Sequence, residues 1–245
     1  MMLDFNSRSA LGDKFVALID KAIDRRATGE SKREYLGGSA IGEPCARRLQ
    51  YEYNGADKDE GSDFEPRIRR IFQRGHEVEE WLIRWMLSAG FEMRSKDRDG
   101  RQFGFEDCEG RFKGHFDGVV TGGPQGFEYP ALFEAKCLGE KGFNQLVKHG
   151  VAKAYPKYAA QVATYQAYGE LSEHPAFFVA VNANDMRIHL ELVKFDPQLA
   201  QDCANKAATV LKAVDGGDTL PRATDNPESF VCRFCPFRGV CWDDT

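Results

Sequence analysis

Gly114-His115-Phe116-Asp117-Gly118-Val119-Val120 and Leu132-Phe133-Glu134-Ala135-Lys136-Cys137 are two strand-like runs with charge in their interiors. Side chains alternate across a strand. Phe112, Phe116 and Val120 should therefore share one face, opposite His115, Asp117 and Val119. In the second run Phe133, Ala135 and Cys137 face one way, and Glu134 and Lys136 the other. A carboxylate and an ammonium inside an apolar strand are costly to bury, so something must compensate. An ion pair within the sheet, or a solvated outer face, is the plain answer. The chemical answer is that Asp117 and Glu134 hold a hard divalent cation through oxygen, with Lys136 beside it. Hydrolysis of a phosphodiester needs an activated water and relief of charge on the phosphate. A metal and an ammonium supply both.

Around these runs the pattern is mixed. Helical periodicity covers 11–27, and a polar, glycine-containing loop reaches Gly38. Helices are expected at about 43–54 and 65–89, the second stopped by Gly90. Strands follow at about 91–95, 102–107, 111–121 and 129–138, then helices near 140–150 and 156–171. Two more strands, 176–182 and 186–194, precede a helix over 197–214, and the tail from Gly216 reads as loop. The order predicts an α/β (α+β) domain around a central mixed sheet flanked by helices.

Two further pieces come from helices. Ile68, Ile71, Phe72, Val78, Leu82, Trp85 and Met86 form the apolar stripe of the long helix, with His76 at its edge and Glu79 within it. A core-edge histidine is the bland reading. Beside an Asp…Glu-x-Lys pair, His76 becomes a candidate ligand, with Glu79 or Glu80 orienting it. Gln161 and Tyr165 stand four apart on one helix face, among Tyr158 and Tyr168. An aromatic core stripe accounts for the tyrosines, but the glutamine amide needs partners. Phosphate, the attacking water or a neighbouring site group would provide them.

Bulk properties narrow the class. The 245 residues are 42% hydrophobic, enough for one mixed domain with a real core. No stretch approaches the roughly 18 consecutive apolar residues of a membrane helix. The opening Met1–Ser7 lacks a basic segment followed by an apolar core, so the expected location is cytoplasmic. A formal charge of −5 argues against a strongly basic coat for nucleic acid, although local basic stretches remain available. Arg47, Arg48, Arg70 and Arg74 are the candidate phosphate contacts. Solvated helix faces are the alternative for each.

Seven cysteines, an odd number, argue against a disulfide framework in such a chain. Cys232, Cys235 and Cys241 lie in one short loop, and Cys45 stands far upstream in Glu43-Pro44-Cys45-Ala46-Arg47-Arg48. Four thiolates suit either a structural zinc or an iron–sulfur cluster, and spacing does not choose between them. Joining Cys45 to the tail closes a loop of nearly the whole domain, a constraint worth about 4–5 kcal/mol. Phe234, Phe237 and Trp242 beside this loop read as packing, or as platforms for unpaired bases.

Together these pieces resemble the PD-(D/E)xK nuclease superfamily. More narrowly they are similar to its RecB-like branch, including CRISPR-associated iron–sulfur exonucleases. Asp117 matches the central Asp, Glu134-Ala135-Lys136 the (D/E)-x-K, His76 the helical histidine, and Gln161 through Tyr165 the Q-x-x-x-Y signature. D-x(n)-E-x-K alone is a weak signal, whereas the ordered set of four is specific. The resemblance spans about residues 39 to 242, and it divides the chain into an N-terminal helical extension, 1–38, and a nuclease domain, 39–245. It implies a restriction-endonuclease-like core and a Mg²⁺- or Mn²⁺-dependent DNA exonuclease preferring single strands. It also implies metal ligation by His76, Asp117, Glu134 and the Ala135 carbonyl, and a structural [4Fe–4S] cluster on Cys45, Cys232, Cys235 and Cys241 in preference to zinc. DNA ends would be the substrate, with recombination or replication proteins as candidate partners and no membrane. A non-catalytic DNA-binding module that keeps a four-cysteine site is the alternative class. An iron–sulfur redox protein is a further one, but no Gly-rich dinucleotide fingerprint accompanies it.

Overall fold

The computed structural model describes residues 10–28 and 33–243. The expectation drawn from Met1–Ser7 falls outside them. In chain order the elements are α1 (Ala10–Thr28), β1 (Leu36–Gly37), α2 (Ala46–Tyr53), α3 (Pro66–Ser88), β2 (Glu92–Arg94), β3 (Gly104–Asp107), β4 (Phe112–His115), β5 (Gly118–Gly122) and β6 (Ala131–Leu138). They continue with α4 (Glu140–His149), α5 (Val151–Ala154), α6 (Pro156–Tyr168), β7 (Ala176–Asn182), β8 (Ile188–Val193), α7 (Pro197–Gly216), α8 (Phe230–Arg233) and α9 (Arg238–Asp243).

The central sheet has the order β2-β5-β6-β7-β8. Its β6–β7 pair is parallel and the other pairs are antiparallel. Both middle strands are covered on both faces, which explains the near-continuous apolar run Ala176–Asn182. Phe133, Phe177 and Phe178 are fully buried there. Each contributes about 1.5–3 kcal/mol by leaving water. On one side Val78 and Leu82 of α3 pack against Val120, Phe133, Ala135, Phe177 and Val179. On the other, α6 packs over Leu132, Leu138, Phe178 and Ala180, and α7 packs on α6. Helix α7 is well delimited. The Asp196 side chain accepts from Leu199 N–H, Pro197 opens the first turn, and left-handed Gly217 closes the last.

A smaller sheet, β1-β4-β3, lies beside the first. Leu36 of β1 is buried in the core, where β1 runs parallel to β4. Helix α1 packs on α3, with Asp20 paired to Arg70 and Asp24 to Arg69. No helix among the described residues is long and apolar enough to cross a membrane.

Three expectations are corrected. The run 111–121 is not one strand. It breaks at Phe116-Asp117 and its halves enter different sheets, so Phe116 packs in one core and Val120 in the other. The long-helix stripe is narrower than its periodicity, because Ile71, Phe72 and Trp85 are exposed. The tail is not all loop, since the cysteine segment winds into α8 and α9.

Candidate active site

Strand β6 carries the site. Its alternation sends Phe133, Ala135 and Cys137 toward α3 and Glu134 and Lys136 toward α6, as the period of two requires. Glu134 is fully buried. Its Oε1 accepts from Gln161 Nε2 at 2.7 Å and from the Lys136 ammonium. Its Oε2 has no hydrogen-bond partner among the described residues. An orphan acceptor at full burial is uncommon, and its desolvation cost is of order 1–3 kcal/mol.

Asp117 occupies the break between β4 and β5. The β5–β6 ladder ends at the pair Gly118–Phe133. Beyond it, Asp117 Oδ2 accepts from Ala135 N–H at 2.8 Å, replacing the carbonyl that a continued β5 would have offered. The break that divides the sheets thus turns this carboxylate onto the backbone between Glu134 and Lys136. Glu79 on α3 completes the acidic cluster, facing Asp117 and Lys136.

The electrostatics follow from three acids sharing one buried ammonium. Burial pushes the Glu134 carboxyl up to about 8, and Asp117 adds to that, while Lys136 opposes it. Glu79 rises to about 7, again chiefly through burial and then Asp117. Burial raises Asp117 as well, against the pull of Lys136, the Ala135 N–H and His76. Lys136 is raised too and holds its proton more firmly than a free lysine, since the carboxylates outweigh its own burial. Its Nζ also lies 5.0 Å from the Tyr158 ring centroid.

The helical pieces divide. Gln161 and Tyr165 are buried together beside Glu134. Gln161 bonds the carboxylate directly. Tyr165 packs against Phe105 and Phe116, and its hydroxyl is bonded to Gln161. A side chain at Gly114 would clash with the Tyr165 ring, so this approach requires glycine. His76 lies on the exposed face of α3 rather than at the core edge, within electrostatic reach of Asp117.

The second cluster is at the chain's ends. Cys45, Cys232, Cys235 and Cys241 line one cavity with Arg47, Arg48 and Arg222. All seven cysteines are free thiols, and burial raises the Cys235 thiol. Arg47 donates to Cys241 Sγ at 3.6 Å and to the Leu220 carbonyl. Arg48 pairs with Glu43 and Glu52, and Arg70 with Asp20. Arg47, Arg48 and Arg70, proposed from sequence as phosphate contacts, thus already have partners within the chain, Arg70 at a partly exposed position, while Arg74 is exposed. Phe237 packs on Tyr51 and Trp242 lies under Arg222, whereas Phe234 is exposed beside Phe230. Among the described residues, no group of three or more His, Cys, Asp or Glu side chains is arranged to hold a metal ion. At the acidic cluster the Lys136 ammonium rests on Glu134, and Asp117 commits an oxygen to Ala135 N–H.

This architecture, a mixed sheet flanked by helices, has solved counterparts. The chain shares its fold with an alkaline exonuclease. That protein, LHK-Exo from Laribacter hongkongensis, matches at a TM-score of 0.53 and 16% identity, over 76% of this chain and 90% of its own. Its structure in complex with dAMP matches at 0.50 and 16%, over 75% and 89%. A structure described as SSO0001 matches at 0.44 and 13% identity, over 94% and 96%. No family model matches the chain, and no curated protein does. The mixed sheet flanked by helices, shared with that alkaline exonuclease, is a restriction-endonuclease-like fold.

The residue that sequence reasoning undervalues is Glu79. Periodicity casts it as the orienter of a histidine, but it faces Asp117 directly. Its position within the apolar stripe of α3 is the available signal.

Proposed function

We propose that this chain is a metal-dependent DNA exonuclease, of the RecB-like branch of the PD-(D/E)xK nucleases, acting on ends and preferring single strands. One observation carries the reading. The fully buried Glu134 has one oxygen pinned by Gln161 and Lys136 and the other without a partner among the described residues, next to Asp117. A strand that places an acid, a lysine and an orphan acceptor in its interior is built for something other than stability. The exonuclease name of the fold's counterpart supports the same activity.

The donors fit a hard cation. Asp117, Glu134 and Glu79 offer carboxylate oxygens and His76 an imidazole, a set suited to Mg²⁺ or Mn²⁺. When bound, such an ion supplies Lewis-acid polarisation of the phosphate and lowers the pKa of water. The residues supply the rest. Lys136 keeps an ammonium at the site to offset charge developing on the phosphate. Gln161 holds the Glu134 carboxylate in orientation, and Tyr165 holds Gln161. Asp117, anchored on Ala135 N–H, keeps one oxygen for the ion.

The four cysteines that line one cavity supply the donor chemistry of a structural [4Fe–4S] cluster, with zinc as the other occupant that chemistry allows. Arg47 beside Cys241, and Arg48 and Arg222 nearby, would offset thiolate charge. DNA is the proposed partner, the cytoplasm the proposed location, and recombination or replication proteins the proposed associates.

The test is digestion of end-labelled linear and circular DNA, single- and double-stranded, with Mg²⁺ or Mn²⁺ and with chelator. We expect stepwise loss of linear strands, intact circles, and no reaction with chelator or with Asp117→Ala. Failure to digest any substrate with either metal would remove the enzyme from consideration and leave a DNA-binding module.

A further inference from the structure

A second concavity opens where β6 hands over to α4 and α5. It is a cavity of about 470 Å³ whose walls include Lys141, Gly142, Gln145, His149, Lys153 and Tyr155. No acidic residue among the described ones lines it, although the chain as a whole carries a charge of −5. None of the Lys141, Gln145, His149 and Lys153 side chains is engaged in a hydrogen bond or ion pair among the described residues. The nearby acid in the first turn of α4, Glu140, is turned away, held by Asn144, Asn182 and Arg187. Two ammonium groups, an amide, an imidazole and a phenol converge on a concave surface with no counter-charge in its walls. A concave surface of one sign concentrates ions of the other.

The cavity also lies on the correct layer. Phe143, Leu146 and Val151 of α4 and α5 pack into the same core as Leu138 and Tyr165, on the face of β6 that carries Glu134 and Lys136. Tyr155 in the cavity wall stacks on Tyr158 at 5.1 Å, and the Tyr158 ring is the one that Lys136 approaches. A continuous path of side chains thus joins the cavity to the acidic cluster. Gly142 is part of this wall because a Cβ there would collide with the Tyr155 hydroxyl.

We propose that this cavity is a phosphate-binding pocket that seats the nucleic-acid backbone beside the catalytic cluster, with Lys141 and Lys153 as its charged contacts. His149, Gln145 and the Tyr155 hydroxyl add hydrogen bonds, and the Tyr155–Tyr158 pair offers a stacking face for a base. The identity of the ligand rests on the nuclease reading; the anion chemistry does not. The phosphate is either an internal diester or a terminal monoester, and the two share these contacts.

The experiment uses the full chain with chelator present, so that binding is measured without cleavage. Labelled single strands with a 5′-phosphate, a 3′-phosphate or two hydroxyl ends, and a circular single strand, are titrated against wild type and Lys141→Ala/Lys153→Ala over a range of salt. The double variant should bind about tenfold or more weakly. Its log K against log salt slope should shrink by about 1.4, the value for two lost contacts on a single strand. Equal loss on every strand assigns an internal diester, and loss confined to phosphate-bearing ends assigns a terminal monoester. The control is Lys96→Ala/Lys212→Ala, lysines that do not line the cavity. An equal loss in the control, an unchanged affinity and slope in the Lys141/Lys153 variant, or no binding by wild type overturns the proposal. Should the alanine pair unfold, Lys141→Gln/Lys153→Gln reads the same quantities. Wild type that binds through these lysines yet digests nothing with Mg²⁺ or Mn²⁺ would sink the hydrolase reading and leave the pocket standing.

Discussion

Gln161 Nε2 donates to Glu134 Oε1 at 2.7 Å, joining the middle of α6 to the middle of β6 inside the core. The glutamine is a positioning residue, since it reaches the carboxylate and no open surface. Gln161→Ala should leave the fold intact and free Glu134 to rotate. Losing such an orienting partner typically costs about 10–100-fold in metal affinity or activity. We expect the Mg²⁺ concentration for half-maximal digestion to rise within that range, with partial recovery at high Mg²⁺. An unchanged Mg²⁺ requirement would mean that Glu134 does not need this support.

Among the described residues, Lys136 is the ammonium that faces Asp117, Glu134 and Glu79 inside the fold. Lys136→Met should therefore destabilise the metal-free protein by about 3–5 kcal/mol, the cost of leaving buried carboxylates uncompensated. Glu134→Gln keeps the shape, removes a buried titratable carboxyl and leaves Lys136 facing Asp117. It should be as stable as wild type in urea, and inactive. Denaturant midpoints of the two variants, measured side by side, decide whether site and stability oppose each other here.

The pH dependence of stability has a definite sign. Glu134 and Glu79 sit near 8 and 7 in the folded chain, above an ordinary value of 4.5. The folded state binds these protons more tightly than the unfolded state. The associated stability is full below about 4.5 and is lost as pH rises through 7 and 8. Thermal unfolding in chelator should show a midpoint falling from about pH 5 to about 8.5. Mg²⁺ should offset that fall increasingly as pH rises, because its ligands must be deprotonated. A rising midpoint over this window in chelator would contradict the burial of these carboxyls.

Replacing Cys45 or Cys235 with Ala should abolish iron, sulfide and visible colour and lower stability by up to about 4–5 kcal/mol. The tail will not detach fully. Gln50 accepts from Leu220 N–H at 2.9 Å, and Asp59 accepts from Gly239 N–H at 2.9 Å, with or without the cluster. Asp117→Ala should do the opposite, retaining colour while losing digestion. Zinc without iron in the purified protein would replace the cluster by the alternative metal.

Much of this was legible along the chain. Glu134 and Lys136 share a face because a strand repeats every two residues, and Gln161 and Tyr165 share one because a helix nearly repeats every four. Local periodicity determined these pairings, together with the types and approximate limits of most elements. The clustering of Cys232, Cys235 and Cys241 was equally local.

Only tertiary structure decided what those faces meet. Glutamine needs a partner, but nothing local says that it is Glu134, twenty-seven residues away. The chain break at Phe116-Asp117 is invisible to periodicity because both halves are good strands. Competition for partners in two sheets separates them. Lys141 and Lys153 lie on different helices, joined at Gly150 with its positive φ, and become neighbours only when the chain turns there. Arg47 and Arg48 look like free cations in sequence, and the long-range contacts that engage Arg47 with Leu220 and Cys241 are made only on folding. Side-chain direction is set by local backbone geometry, whereas the identity of the partner is set by which surfaces pack together.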